Sequence, residues 1–317
     1  MNLEQVLQHL PDFSFDDNQS YAPPIAEYFK YYGLDFENQM GDLHHNFGLV
    51  DAGGYQVACH YFSLDKGSEQ AGKQSKGCIL IVHGFYDHTG LYNHLIKNCL
   101  QQGFDVLAFD LPGHGLSSGQ RASIASFDEY QVVLKQITAY FSSHANIVAM
   151  IGQSTGAAIV MHYLFDYPNA EVKAILLAPL LKTCGWGTTV LLFQLLNPFI
   201  KWVPRRFANN SQNKAFLRFL KHDDPLQYRY TPLEWVGALI EWVNSFKYFK
   251  ANKSDVLIVQ GTDDNTVDWV HNLPVIQKKL PRANVEYIEG AGHHLVKELD
   301  ALRERTFSCI NEYLKTI

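Results

Sequence analysis

The run from Ile147 to Met161 constrains this chain more than any other. Five apolar residues, Ile147 to Ile151, fit a buried strand; Gly152-Gln153-Ser154-Thr155-Gly156 follows, and Ala157 to Met161 can start a helix. A G-x-S-x-G turn between strand and helix is tight enough to force the serine into a strained conformation that lifts its hydroxyl clear of the sheet. The positions two before and two after it must lack bulk, as Gly152 and Gly156 do. The helix start also aims the backbone N–H of Thr155 at any oxyanion formed beside Ser154. Because G-x-S-x-G is common by chance in Gly/Ser-rich turns, the reading rests on the flanking strand and helix, and on partners elsewhere.

Along the chain, apolar runs alternate with helical patterns. Asn46–Val50, Asp51-Ala-Gly-Gly54 and Tyr55–Leu64 read as a hairpin, and the polar, glycine-rich stretch 66–77 as an exposed loop. Strands are expected at Cys78–Val82, Phe104–Phe109, Ala174–Ala178, Val256–Gln260 and Asn284–Ile288. Helices are expected at Leu91–Gln102, stopped by Gly103, and from a capping box at Ser126–Glu129 through Phe141; the last spans Leu295–Leu314. Apolar strands with helical crossovers imply an α/β fold: a mostly parallel sheet covered on both faces, with the hairpin as its antiparallel edge. The alternation stops at Pro179 and resumes at Asp255. The expected organisation is an N-terminal extension (1–45), a core (46–181 and 254–317) and an inserted cap (182–253). The extension is rich in aromatics and expected to pack over the core, with Pro23-Pro24 breaking any long helix there.

Composition narrows the function classes. A net charge of −6 over 317 residues offers no footprint for nucleic acid. Five scattered cysteines with no C-x-x-C argue against a disulfide framework or zinc site and for a reducing compartment. With no signal-like start and no run of 18 apolar residues, the expectation is a soluble cytoplasmic protein. No phosphate loop or metal cluster is evident, so no cofactor is implied.

A serine hydroxyl needs a histidine to take its proton, and the histidine needs a carboxylate to orient it. After Ser154 the chain supplies Asp263-Asp264 beyond one expected strand, then His293-His294 beyond the next. A loop Asp is usually a turn former and a loop His usually solvated; all three in hydrolase order, each past a strand, are much harder to obtain by chance. The residues alone leave each doublet ambiguous by one position. The loop His83-Gly84-Phe85-Tyr86 after the first parallel strand offers the N–H of Phe85 as a second oxyanion donor beside Thr155.

The segments HGFYDHTGLY (83–92), DLPGHGLSSG (110–119), GQSTG (152–156), QGTDDNTV (260–267) and EGAGHHLVKE (289–298) together resemble the alpha/beta-hydrolase superfamily. Within it they resemble the monoacylglycerol lipase and bacterial lysophospholipase group, over about residues 46–317. The resemblance implies a Ser-Asp-His triad and settles the doublets as Asp264 and His293. It also implies hydrolysis of single-tailed lipid esters. The group usually has histidine and methionine flanking the serine, where this chain has Gln153 and Thr155; these bear on the pocket floor rather than on the triad.

Val190–Val203 is the most apolar stretch, too short to cross a bilayer and expected to be a cap helix. It would pack on the sheet rim or lid an acyl tunnel, with Leu192 and Phe199 on the substrate. Lys201, Arg205 and Arg206 would then lie near lipid headgroups, in transient contact with a membrane surface. Tyr228, Tyr230, Trp235, Trp242 and the stretch Asp224-Pro225-Leu226 could complete the lining. Competing readings are a small-ester carboxylesterase, an acyltransferase, a peptidase or a non-catalytic binding relative. A dehalogenase or epoxide hydrolase would need Asp at 154.

Overall fold

The computed structural model describes residues 1–317 except 17–18, 37–39, 41–42 and 65–74, so most of the loop expected at 66–77 lies outside the described residues. Two helices, α1 (Leu3–Gln8) and α2 (Pro23–Tyr32), precede the hairpin of β1 (Leu43–Ala52) and β2 (Tyr55–Leu64). Then come β3 (Cys78–Val82), α3 (Asn93–Gln101), β4 (Asp105–Phe109), α4 (Phe127–Phe141), β5 (Ile147–Gln153), α5 (Thr155–Asp166) and β6 (Lys173–Leu177). The segment before the next sheet strand holds α6 (Trp186–Leu196), β7 (Trp202–Pro204), α7 (Lys214–Arg218), β8 (Tyr230–Pro232) and α8 (Leu233–Phe246). The chain closes with β9 (Val256–Gly261), α9 (Trp269–Lys279), β10 (Ala283–Ile288) and α10 (Asp300–Leu314).

Eight strands form one sheet in the order β1-β2-β4-β3-β5-β6-β9-β10. From β4 to β10 neighbours run parallel, while β2 pairs antiparallel with β1 and β4. Strands buried on both faces need apolar residues at every position, and β3 and β4 are buried throughout. Cys78, Leu80 and Val82 enter one hydrophobic cluster with α4, α5 and α8, and Ile79 and Ile81 the other with α2, α3 and α10. This is the α/β fold the alternation implies. Its crossovers reverse direction at β3, which neighbours β4 on one side and β5 on the other. Ligands bind outside the strands' C-terminal ends at such a switch point.

Several local expectations change. Pro23 and Pro24 do not break a helix but open α2, where a missing N–H costs nothing. α2 buries Ile25, Tyr28, Phe29 and Tyr32. At α4 the capping box is half made: Ser126 Oγ accepts from Asp128 N (3.1 Å), but Glu129 turns away to take the Tyr55 hydroxyl (2.7 Å). The final helix starts at Asp300, after a short 3₁₀ turn at Leu295–Lys297. Just before it, the wholly buried Glu298 carboxylate accepts from Gly292 N (2.7 Å) and Gln212 N (2.8 Å). The apolar run 190–203 is not one helix either: α6 ends before Asn197-Pro198 and the chain becomes β7, paired with β8.

Candidate active site

Ser154 sits between β5 and α5 with φ 55° and ψ −112°, a strained conformation for a residue with a Cβ. The glycines around it are a steric requirement. A Cβ on Gly152 would run into the backbone of Gly156, and one on Gly156 into the carbonyl oxygen of Val82. The strain is held by Ser154 N–H donating to Leu177 O (2.8 Å) and Leu180 N–H donating to Ser154 O (3.2 Å). Thr155 is the first residue of α5, so its N–H has no partner within the helix.

The acid and the base come from the turns after β9 and β10. His293 Nδ1 lies 2.8 Å from Asp264 Oδ2, and both side chains are buried. Asp264 is fixed from its other sides: Oδ1 accepts from Thr266 N (2.8 Å) and Val267 N (3.2 Å), and Oδ2 from Gln260 Nε2 (3.0 Å). Burial would raise the Asp264 pKa, but His293 and these donors together hold it below the usual carboxylate value. Burial likewise lowers the His293 pKa, and the Asp264 charge and hydrogen bond more than offset this, leaving it above the usual imidazole value. With Nδ1 committed to Asp264, Nε2 is the nitrogen left to exchange a proton.

The neighbouring doublet members are engaged elsewhere. Asp263 is exposed, at 3.5 Å from Gln212 Nε2. His294 Nε2 lies 3.0 Å from Asp87 Oδ1, a second buried His–carboxylate pair. Tyr92 OH donates to Asp87 Oδ2 (2.8 Å) and accepts from Gly84 N (3.0 Å), tying this pair to the loop after β3.

Ser154, Thr155, Phe85, Gln153 and His293 line one cavity of about 220 Å³. Asp264 stands behind His293, outside the lining. Phe85 stacks on Trp235 (centroids 3.6 Å apart), and with Leu180, Leu220 and Val267 they supply apolar lining to the cavity. Arg205, Arg206, Asn210, Asp87 and His294 contribute polar groups. Leu192 and Phe199 are not in the lining: they are 48% and 84% exposed on the outer surface. Of the other expected lining residues only Trp235 is present; Trp242 and Leu226 are buried in the hydrophobic clusters, and Asp224 binds His88 Nε2 (3.1 Å) and Tyr32 OH (2.7 Å). Gln153 does reach the pocket, but its Nε2 donates to His293 O (2.6 Å), so it braces the histidine loop. Sequence reasoning missed this brace and the Asp87–His294 pair. Their one sequence signal is that Asp87 and His294 fall inside motifs already singled out, HGFYDHTGLY and EGAGHHLVKE.

A strained serine at the switch point of a mostly parallel sheet, sharing a cavity with a carboxylate-held histidine, is the arrangement of a serine hydrolase on the α/β-hydrolase fold, and its relatives place it among lipases and esterases. The chain belongs to the Hydrolase_4 (serine aminopeptidase, S33) family, whose profile matches residues 73–300. It is 26% identical to the "Monoglyceride lipase homolog" of Monkeypox virus over 250 residues, covering 75% of this chain and 89% of that one. It is 24% identical to the "Probable lysophospholipase L2" of Haemophilus influenzae over 269 residues, 74% and 83% of the two chains. A soluble variant of monoglyceride lipase from Saccharomyces cerevisiae, solved with a substrate analogue, superposes with a TM-score of 0.71 at 19% identity, over 85% of this chain and 94% of that one. Among the described residues no helix is long and apolar enough to cross a membrane.

Proposed function

We propose that the protein hydrolyses carboxylic esters of single-tailed lipids, monoacylglycerols or lysophospholipids, through an acyl-enzyme on Ser154. The observation that carries this is the mixed lining of the Ser154 cavity, which combines apolar Phe85, Trp235 and Leu220 with polar Arg205 and Asn210. The apolar residues suit an acyl chain and the polar ones a hydrophilic leaving group. Each methylene buried there is worth about 0.8 kcal/mol. The names of the viral and bacterial relatives support the same substrate class.

In this reading Ser154 Oγ attacks the ester carbonyl while His293 Nε2 takes its proton. Asp264 keeps Nδ1–H in place and stabilises the imidazolium. The oxyanion is received by the N–H groups of Phe85 and Thr155, whose hydrogen bonds to it tighten as the tetrahedral intermediate forms. Collapse returns the proton from His293 to the leaving alkoxide, and water repeats the sequence on the acyl-enzyme. The segment 182–253 serves as a cap, with Leu191, Leu192, Leu195 and Phe199 exposed on its outside as a transient membrane contact.

The modest cavity volume favours one second reading, a short-chain carboxylesterase. An acyl series on p-nitrophenol separates the two. Specificity constants rising from acetyl to dodecanoyl support the lipid reading, and an optimum at acetyl or butyryl replaces it with the esterase.

A further inference from the structure

The lining of the Ser154 cavity includes two consecutive arginines, Arg205 and Arg206. Arg205 is fixed in place: its N–H donates to Arg229 O (2.9 Å), and its guanidinium lies over the Tyr86 ring (3.8 Å from the centroid) and the Phe207 ring (4.4 Å). Nη1 alone makes its side-chain hydrogen bonds, to Gln227 Oε1 (2.7 Å) and Tyr228 O (3.2 Å). Among the described residues Nη2 and Nε have no acceptor, and neither Arg205 nor Arg206 forms a salt bridge. A third guanidinium, Arg229, lies over the same Phe207 ring (5.2 Å). The nearby carboxylates, Asp87 and Asp224, are already committed to His294 and His88. Burial brings the Arg205 pKa down to about 10, so it keeps its charge at neutral pH. In a chain of net charge −6, this is a concentration of positive charge, without a direct salt bridge among the described residues, at the cavity of the candidate nucleophile.

We infer that Arg205 and Arg206 form a headgroup subsite for a phosphate monoester or diester, so that lysophospholipids with a net negative headgroup are preferred over monoacylglycerols. A guanidinium with its Nε–Nη2 edge unengaged matches phosphate oxygens, whereas a neutral glycerol leaves that charge unanswered. The inference rests on the ester-hydrolase reading and specifies its substrate.

The test compares three dodecanoyl lipids below their micellar concentrations: lysophosphatidic acid, lysophosphatidylcholine and monododecanoylglycerol. The full chain should favour lysophosphatidic acid over the glycerol by about 10–100-fold in kcat/KM, mostly through KM, with the advantage shrinking as salt rises. Arg206→Gln should lower that ratio about tenfold. Arg205→Lys, which keeps the charge but loses the fork, guards against a misfolded Arg205→Gln and should lower it part of the way. Binding of lysophosphatidic acid to Ser154→Ala protein reads the subsite apart from hydrolysis and should be lost when both arginines are Gln. Equal constants for anionic and neutral lipids, or an Arg206→Gln effect equal on all three, would overturn the subsite while leaving the ester-hydrolase reading intact. Inorganic phosphate competing as tightly as lysophosphatidic acid would assign the arginines to free anions instead of a lipid headgroup. Salt-sensitive binding without cleavage of any ester would uphold the subsite and sink the hydrolase reading.

Discussion

His293 and His294 are adjacent in the chain, equally buried, and each bound to a carboxylate, yet the two pairs are built differently. Asp264 is held by two backbone N–H groups of its own turn and binds His293 at Nδ1. Asp87 is held by the Tyr92 hydroxyl and binds His294 at Nε2. The nitrogen left over differs accordingly. His293 keeps Nε2 for the cavity it lines with Ser154, while His294 Nδ1 is buried with no partner among the described residues. The two His–Asp pairs thus differ in the nitrogen left free and in where it lies, and the proposed base role of His293 turns on that difference.

The largest expected effects break the first pair. Ser154→Ala or His293→Ala should lower kcat by about 10⁵–10⁶ with the fold intact, because nucleophile and base act as a unit. Asp264→Asn should cost about 10⁴ in kcat by releasing the imidazole tautomer. It should also move the acid limb of the pH profile. In the native protein kcat/KM should fall as pH drops through a His293 pKa above the usual imidazole value, since only the neutral ring accepts a proton. Without Asp264 the lowering by burial is opposed only by the Asp87 charge, so the limb should shift to lower pH.

Breaking the second pair should act mainly on stability. Burial raises the Asp87 pKa, but the His294 charge and hydrogen bond more than reverse this and hold it well below the usual carboxylate value. A depressed carboxylate stabilises the fold above its unfolded pKa, and that contribution is lost as pH falls. Asp87→Asn should therefore lower the melting temperature at pH 7, and the gap from the native protein should narrow below about pH 4. Its kcat should stay within about tenfold of native, read through the Gly84–Phe85 loop that Tyr92 anchors.

A third pair, His88–Asp224, bonds to the N-terminal helix through Tyr32 OH and should give the smallest effect. Tyr32→Phe removes one hydrogen bond to a charged acceptor and should cost about 1.5–3 kcal/mol of unfolding free energy, with kcat changed less than by Asp87→Asn.

What the sequence made legible follows from periodicity and local sterics. Buried strands such as Cys78–Val82 must be apolar at every position, and an elbow glycine such as Gly156 has no substitute, so both leave local traces. The pairings left none. Asp87 and His294 lie 207 positions apart, and nothing in either motif says that they meet. Glu298 reads as a helix-surface residue until Gly292 and Gln212 are seen donating to it. The run 190–203 misled for another reason. Apolar on all sides, it has no stripe to distinguish an inner from an outer face, and its leucines ended up outside, away from the Ser154 cavity.

The central claim is that Ser154 is a nucleophile activated by His293 and not by its neighbour. The most direct measurement is the rate of fluorophosphonate labelling, followed by intact mass and peptide mapping, in the native protein and in Ser154→Ala, His293→Ala and His294→Ala. The account predicts a single adduct on Ser154, none in Ser154→Ala, labelling nearly abolished in His293→Ala, and a rate within about tenfold of native in His294→Ala. Labelling of Ser154→Ala at the native rate, or loss of labelling in His294→Ala with His293→Ala unaffected, would contradict it.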